Sequence, residues 1–254
     1  MFEHFNYTAY KNILETLRSK AENLCFEAFL QTDIPARFFV LRHDIDFSPK
    51  AALQMAELES KWGFRATYFL LFSSPYYNLL SEEHITFPRR LAEMSHEVGL
   101  HYDVRAYAAI CEEKMHEALY TEIQLLSELA GQPVRSIAMH NPSVYGEDPF
   151  RGIGSFINAY DDRFTKEIAY FSDSGGAWRN EPVDRFRKGD IPSRLQLLIH
   201  PLFWGERTAD RWERLTLFTR NKFKQIEEEA QRVREIWASH SGVYEHDRRT
   251  MYMQ

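Results

Sequence analysis

The chain has 254 residues, 44% of them hydrophobic, 15% aromatic and 27% charged, with a formal net charge of -6. That balance describes a globular chain with a sizeable core rather than a disordered one, and it argues against a generic nucleic-acid binder, whose phosphate contacts need surplus Lys and Arg. No stretch approaches the roughly 20 apolar residues of a membrane span. The opening MFEHFNYTAYKNILETLRSK carries acids and aromatics where a signal peptide has a basic start and an apolar run, so a cytoplasmic address is expected. Cys25 and Cys111 are far apart in helical patterns and read as buried thiols rather than as disulfide partners or zinc ligands.

In chain order, residues 7–31 place Tyr10, Ile13, Leu14 and Leu17 at helical spacing and predict an N-terminal amphipathic helix. Residues 37–44 form a β-rich run. Ser48-Pro49 then looks like an N-cap with proline in the first turn, opening a helix to Trp62 that Gly63 closes. RATYFLLF (65–72) is the next strand, followed by the turn-rich SSPYYNLLSEE, a short helix at 87–95 and a third strand in HEVGLHYD (96–103). An amphipathic helix over 111–130 ends at Gly131 and Pro133, and a fourth strand over 134–139 runs into His140. Short apolar runs at 156–160, 167–171 and 195–199 supply three more strands, the last followed by His200-Pro201, and residues 211–239 read as a long, charge-laced helix.

Strands alternating with helices imply a mainly parallel sheet. About seven strands in one chain predict a single-domain α/β fold over 1–254, a distorted or incomplete (β/α) barrel with a helical extension at 1–36 and a C-terminal helix within 205–254.

Five strand ends carry ionisable residues: Asp44 with Asp46, His101 with Asp103, His140, Asp173 and His200. In parallel α/β folds these ends converge on one face, where active sites are built. Any one such acid is as readily a helix cap, and His43, His84, His96 and His116 read as structural. Five ends together outweigh that bland reading. Residues two apart in a strand share a face, so Asp44 pairs with Asp46 and His101 with Asp103 in an oxygen-and-nitrogen donor set suited to zinc, cobalt or manganese.

RHDIDFSP, ATYFLL, SHEVGLHYD, RSIAMHNPS and LIHP, in this order, resemble the polysaccharide deacetylase family, the carbohydrate esterases with a chitooligosaccharide deacetylase homology domain. The resemblance spans residues 37–204. It implies a metal-dependent hydrolase that removes an N-acyl group, chiefly acetyl, from an amino sugar or glycan intermediate, with a divalent metal, typically zinc, as cofactor.

Carried over by position, Asp44 is the implied general base, Asp46 and His101 metal ligands, and His200 the general acid. The family's second histidine falls on Arg105, which cannot ligate a metal; the replacement is either Asp103 or His140, with His140 favoured because it ends a separate strand. MHNP stands where the family has an Arg-Pro motif, and Arg42 or Arg179 would then replace the arginine that orients the base. In FSDSGGAWR, Asp173 would orient a catalytic partner and Trp178 would stack against sugar, with Tyr76, Tyr77 and Asn78 gripping substrate from their loop. Arg105 also motivates an alternative: a barrel that binds a glycan or protein without hydrolysis. A third reading keeps an enzyme but changes the bond, to another amide or an ester, or dispenses with the metal.

Overall fold

The computed structural model describes residues 5–108, 112–154, 156–179 and 182–251. The chain divides into two units, Met1–Arg211 and Trp212–Gln254.

The first unit is an α/β layer built on eight parallel strands. Helix α1 (Tyr7–Arg18) leads into β1 (Glu22–Leu24) and β2 (Phe38–Ile45); α2 (Pro49–Trp62) and β3 (Thr67–Leu71) follow, then α3 (Phe87–Glu93) and β4 (Glu97–Tyr102). Helices α4 (Val104–Ala108) and α5 (Glu112–Ala130) precede β5 (Ser136–Met139); α6 (Pro142–Tyr145), β6 (Ile157–Asn158), α7 (Asp162–Thr165), β7 (Ala169–Ser172), α8 (Pro182–Arg187) and β8 (Arg194–Ile199) complete it. Seven strands run in the order β6-β5-β4-β3-β2-β8-β7. This is the incomplete barrel that the alternating pattern predicts.

The local signals at α2 act as expected. Ser48 Oγ accepts the amide of Ala51 at 3.1 Å, and Gly63 closes the helix at φ 76°, a left-handed conformation that glycine adopts without Cβ strain. The helix expected over 7–31 is a correction: it stops at Arg18, and Glu22–Leu24 pair in parallel with Phe38–Val40 as β1. The physical reason is tertiary. The start of β2 has a free side there, because β3 pairs with it only from Arg42 onward, and the chain at 22–24 fills that side, overriding helical propensity. A 3₁₀ turn, Phe26–Leu30, follows. Cys25 is buried as expected, while Cys111 lies outside the described residues.

Strand alternation sorts side chains into two cores. One core lies inside the curled sheet and contains Val40, Phe69, Ala138, Ile157 and Phe164, with Phe26 closing it from the 3₁₀ turn. The other lies between sheet and helices and contains Leu41, Ile45, Leu70, Leu100 and Ile199. Gly99 makes the inner packing possible, since a Cβ there would lie 2.5 Å from the Phe69 ring and 2.8 Å from Ser136 Oγ. Continuing the inner rows along β2, β4, β5 and β8 brings Asp44, His101, His140 and His200 to one mouth.

The second unit is the body of α9 (Arg211–Met251), which begins where expected and runs 12 residues beyond the expected end at Ser239. No helix among the described residues is long and apolar enough to cross a membrane.

Candidate active site

Asp44 is the last inward side chain of β2, and it is held by its own strand. Arg42, two residues upstream and fully buried, donates Nε to Oδ1 and Nη2 to Oδ2, each at 2.8 Å. Arg42 Nη1 also reaches Gln196 Oε1 at 3.2 Å, and the guanidinium lies 4.4 Å from the Tyr160 ring and 5.2 Å from that of Phe69. Burial pushes the Asp44 carboxyl toward neutrality, but the charge and fork of Arg42 outweigh it and hold the pKa below the usual carboxylate range. Arg42, rather than Arg179, is therefore the cation paired with Asp44; Arg179 is exposed and pairs through its backbone with Ser172.

Asp46 follows β2, and its Oδ1 meets two imidazoles. Oδ1 lies 3.3 Å from His101 Nε2 and 3.2 Å from His140 Nδ1, and those two nitrogens are 3.1 Å apart. The oxygen is buried, yet it has no aligned hydrogen bond. Three donor atoms at such separations fit an ion: tetrahedral zinc with bonds of about 2.0–2.1 Å spaces its ligand atoms about 3.3–3.4 Å apart. Among the described residues, Asp46, His101 and His140 form a group whose donor atoms are close enough together to hold a metal ion. The facing His101, His140 and His200 overcome the effect of burial and hold the Asp46 carboxyl well below its ordinary pKa.

The outer contacts favour the same set. His101 Nδ1 donates to the Ala138 carbonyl at 2.8 Å, which leaves the Nε2 lone pair facing Asp46. His140 Nε2 lies 2.8 Å from Asn141 Nδ2; the amide turned the other way, oxygen first, would accept Nε2–H and leave Nδ1 free to ligate. Asn141 holds a left-handed backbone, φ 49°, at the turn that positions His140.

The remaining contender for third ligand is engaged elsewhere. Both Asp103 oxygens accept from Arg105, the shortest contact being 2.6 Å from Nη2, and Arg105 N also bonds Oδ1. Arg105 is more than half exposed and turned toward Asp103, not into the Asp46–His101–His140 group.

On the far side, His200 Nδ1 lies 2.7 Å from Asp173 Oδ1, while Nε2 points to the centre, 3.8 Å from Asp46 Oδ2. Asp173 also accepts from His200 N at 2.9 Å and from Trp204 Nε1 at 2.7 Å. Burial lowers the His200 pKa, but the hydrogen bond and charge of Asp173 more than reverse that and push it up to about 9. Sequence reasoning missed Trp204 and Gln196. HPLFW did carry a signal, because a tryptophan four residues after a strand-end histidine comes back toward it in the 3₁₀ turn Pro201–Phe203.

The expected sugar-binding residues are dispersed. Tyr77 is buried and braces two strands: its hydroxyl donates to the Ile45 carbonyl at 2.6 Å and accepts from Leu71 N at 2.9 Å. Tyr76 is exposed and stacks on Phe47, and Asn78 accepts from Leu80 N within its turn. Trp178 is half-buried between Phe5 and Trp204, each ring 5.9 Å away, with its Nε1 unpartnered. The histidines read as structural behave so: His43 and His96 are buried against Glu59 and the Ala56 carbonyl, His84 pairs with Ser81, and the exposed His116 packs by its ring against Phe150.

No family model matches the chain, and no curated protein matches it. Among solved structures, a family 4 carbohydrate esterase from Bacillus anthracis is similar at 12% identity over 84% of this chain and 86% of its own, with a TM-score of 0.45. A peptidoglycan deacetylase from Bacillus subtilis is similar at 14% identity over 80% of this chain and 100% of its own, TM-score 0.47. A pseudoenzyme of carbohydrate esterase family 4 from Bacillus anthracis is similar at 16% identity over 74% and 61%, TM-score 0.41. Overlaps this loose leave the case for function with the side chains. In the order of its motifs the chain resembles the polysaccharide deacetylases, carbohydrate esterases of family 4.

Proposed function

We propose that the chain is a metal-dependent deacetylase that hydrolyses the N-acyl amide, chiefly N-acetyl, of an amino sugar or a glycan intermediate. The observation that carries this reading is the flanking of one candidate ligand group, Asp46 with His101 and His140, by an acid paired with an arginine, Asp44 with Arg42, on one side and an imidazole paired with a carboxylate, His200 with Asp173, on the other. Amide hydrolysis needs both, one to take a proton from water and one to return it to the amine.

Asp44, kept ionised by Arg42, accepts the proton of the attacking water. His200 donates from Nε2 to the departing nitrogen, while Asp173 holds Nδ1 and so fixes the ring's orientation. Asp46, His101 and His140 would hold the divalent ion, most suitably zinc. When bound, that ion supplies Lewis acidity to the acyl carbonyl and the attacking water.

The turn of Arg105 toward Asp103 and the place of His140 beside Asp46 and His101 support hydrolysis over the binding-only alternative. Release of acetate from N-acetylated chitooligosaccharides tests the proposal. Activity that appears with zinc, disappears with a chelator and is absent from Asp46→Ala supports it; an inert zinc-loaded protein that still binds the oligosaccharide favours the alternative.

A further inference from the structure

Helix α9 forms a unit of its own, 41 residues long, or about 62 Å at 1.5 Å per residue. Its middle carries an apolar stripe open to water: Phe223, Ile226 and Trp237 are 64%, 62% and 69% exposed, Ala230 is exposed and Val233 half-buried. The stripe steps by three, four, three and four residues. That is the 3.5-residue period at which two helices wrap left-handed, with Phe223, Ala230 and Trp237 at the first core position of each heptad and Ile226 and Val233 at the second. The opposite face is charged and tied along the helix by Lys224–Glu228 at 3.6 Å and Gln231 to Glu235 at 2.9 Å, and Arg232 reaches the flanking Glu229 at 3.3 Å.

The flanks of the stripe decide what covers it. Lys222 and Glu229 lie on one flank, Glu227 and Arg234 on the other. In a parallel, in-register pair, a residue on the first flank meets the one five positions later on the second. Lys222 then meets Glu227 of the second copy, and Glu229 meets Arg234 of the second copy; two-fold symmetry repeats both attractions. An antiparallel pair sets like flank against like flank. Lys222 against Glu229 would centre that pair between residues 225 and 226, whereas Glu227 against Arg234 would centre it between 230 and 231, so no single antiparallel alignment makes both.

We propose that α9 is a parallel, in-register dimerisation helix whose partner is a second copy of this chain. The pattern is self-complementary, as an isologous interface requires, and independent of the chemistry at the barrel mouth.

Sedimentation equilibrium of the full chain tests this. The expected species has twice the 30.1 kDa protomer mass at micromolar concentration. Ile226→Glu weakens association at least about 100-fold, and Lys222→Glu weakens it roughly tenfold, with Glu227→Lys in the same chain restoring it. Ile226→Cys, next to the two-fold axis, cross-links the copies under mild oxidation, and Lys224→Cys on the outer face does not. A monomer at about 100 µM, a dimer indifferent to Ile226→Glu, or a dimer that Ile226→Cys leaves uncross-linked overturns the proposal. Circular dichroism and a thermal melt of each variant distinguish lost association from lost folding.

Discussion

Arg42 holds both carboxylate oxygens of Asp44 from two residues upstream on the same strand, so the carboxylate and its counter-ion are fixed by one extended segment. Side chains at this spacing project to one face, and the interior of the curled sheet is where both must lie. Arg42→Met leaves a buried carboxylate unpaired and is expected to cost about 3–5 kcal/mol in urea unfolding. Arg42→Lys keeps the charge and loses the fork; it is expected to fold, with kcat reduced roughly 10–100-fold and KM nearly unchanged. Full activity in Arg42→Lys would show that the fork does not matter.

Asp173 sets the protonation of His200. The imidazole pKa is raised to about 9 from 6.5, so the stabilisation this pair gives the folded, metal-free protein is fully present below pH 6.5 and is lost as pH rises through about 9. NMR titration of the chelated protein is expected to find His200 still protonated at pH 8, and Asp173→Asn is expected to bring the midpoint back toward 6.5. The alkaline limb of the deacetylation rate should move the same way. Equal midpoints in wild type and Asp173→Asn would remove Asp173 from this role.

A metal ion held by His140 would compete with protons for its ring. Asp46 overcomes burial and raises the His140 pKa, and ligation requires the neutral ring. Zinc affinity, read by calorimetry, is therefore expected to be weaker at pH 6 than at pH 8, with protons released on binding. Asn141→Ala removes the group that pairs with Nε2 and is expected to weaken zinc about 10–100-fold. A pH-independent affinity would contradict His140 as a ligand.

Burial pushes the Glu97 carboxyl up to about 7, against the opposing hydrogen bonds of Thr67 and the Glu27 amide. The folded state keeps this proton after the unfolded chain has released it, so stability falls as pH rises from about 4.5 to about 7. The shift corresponds to roughly 3 kcal/mol. Glu97→Gln is expected to recover most of that in urea melts at pH 8 and to change little at pH 4. The same effect at both pH values would mean that Glu97 stays ionised.

The strand ends were legible because parallel strands bury both faces, so an Asp or His closing an apolar run stands out against its neighbours. Asp44, Asp46, His101, His140, Asp173 and His200 are all visible in this way. Strand β1 was not, because Glu22–Leu24 become a strand only by pairing with β2, an interaction 16 residues away in sequence that leaves no local pattern. Nor could spacing decide between Asp103 and His140. That choice turns on Arg105 reaching back two residues to Asp103, a contact between exposed and buried groups that follows from the turn after β4. Tyr77 looked like a loop aromatic and is a strap between strand ends, because the chain after β3 folds back over Ile45.

Anomalous scattering from crystals of the full chain soaked in zinc tests the central claim most directly. One strong peak is expected within about 2.0–2.2 Å of an Asp46 carboxylate oxygen, His101 Nε2 and His140 Nδ1, and no such peak in Asp46→Ala. Zinc bound at Asp103 instead, or no peak among Asp46, His101 and His140 in protein that hydrolyses its substrate, would contradict it.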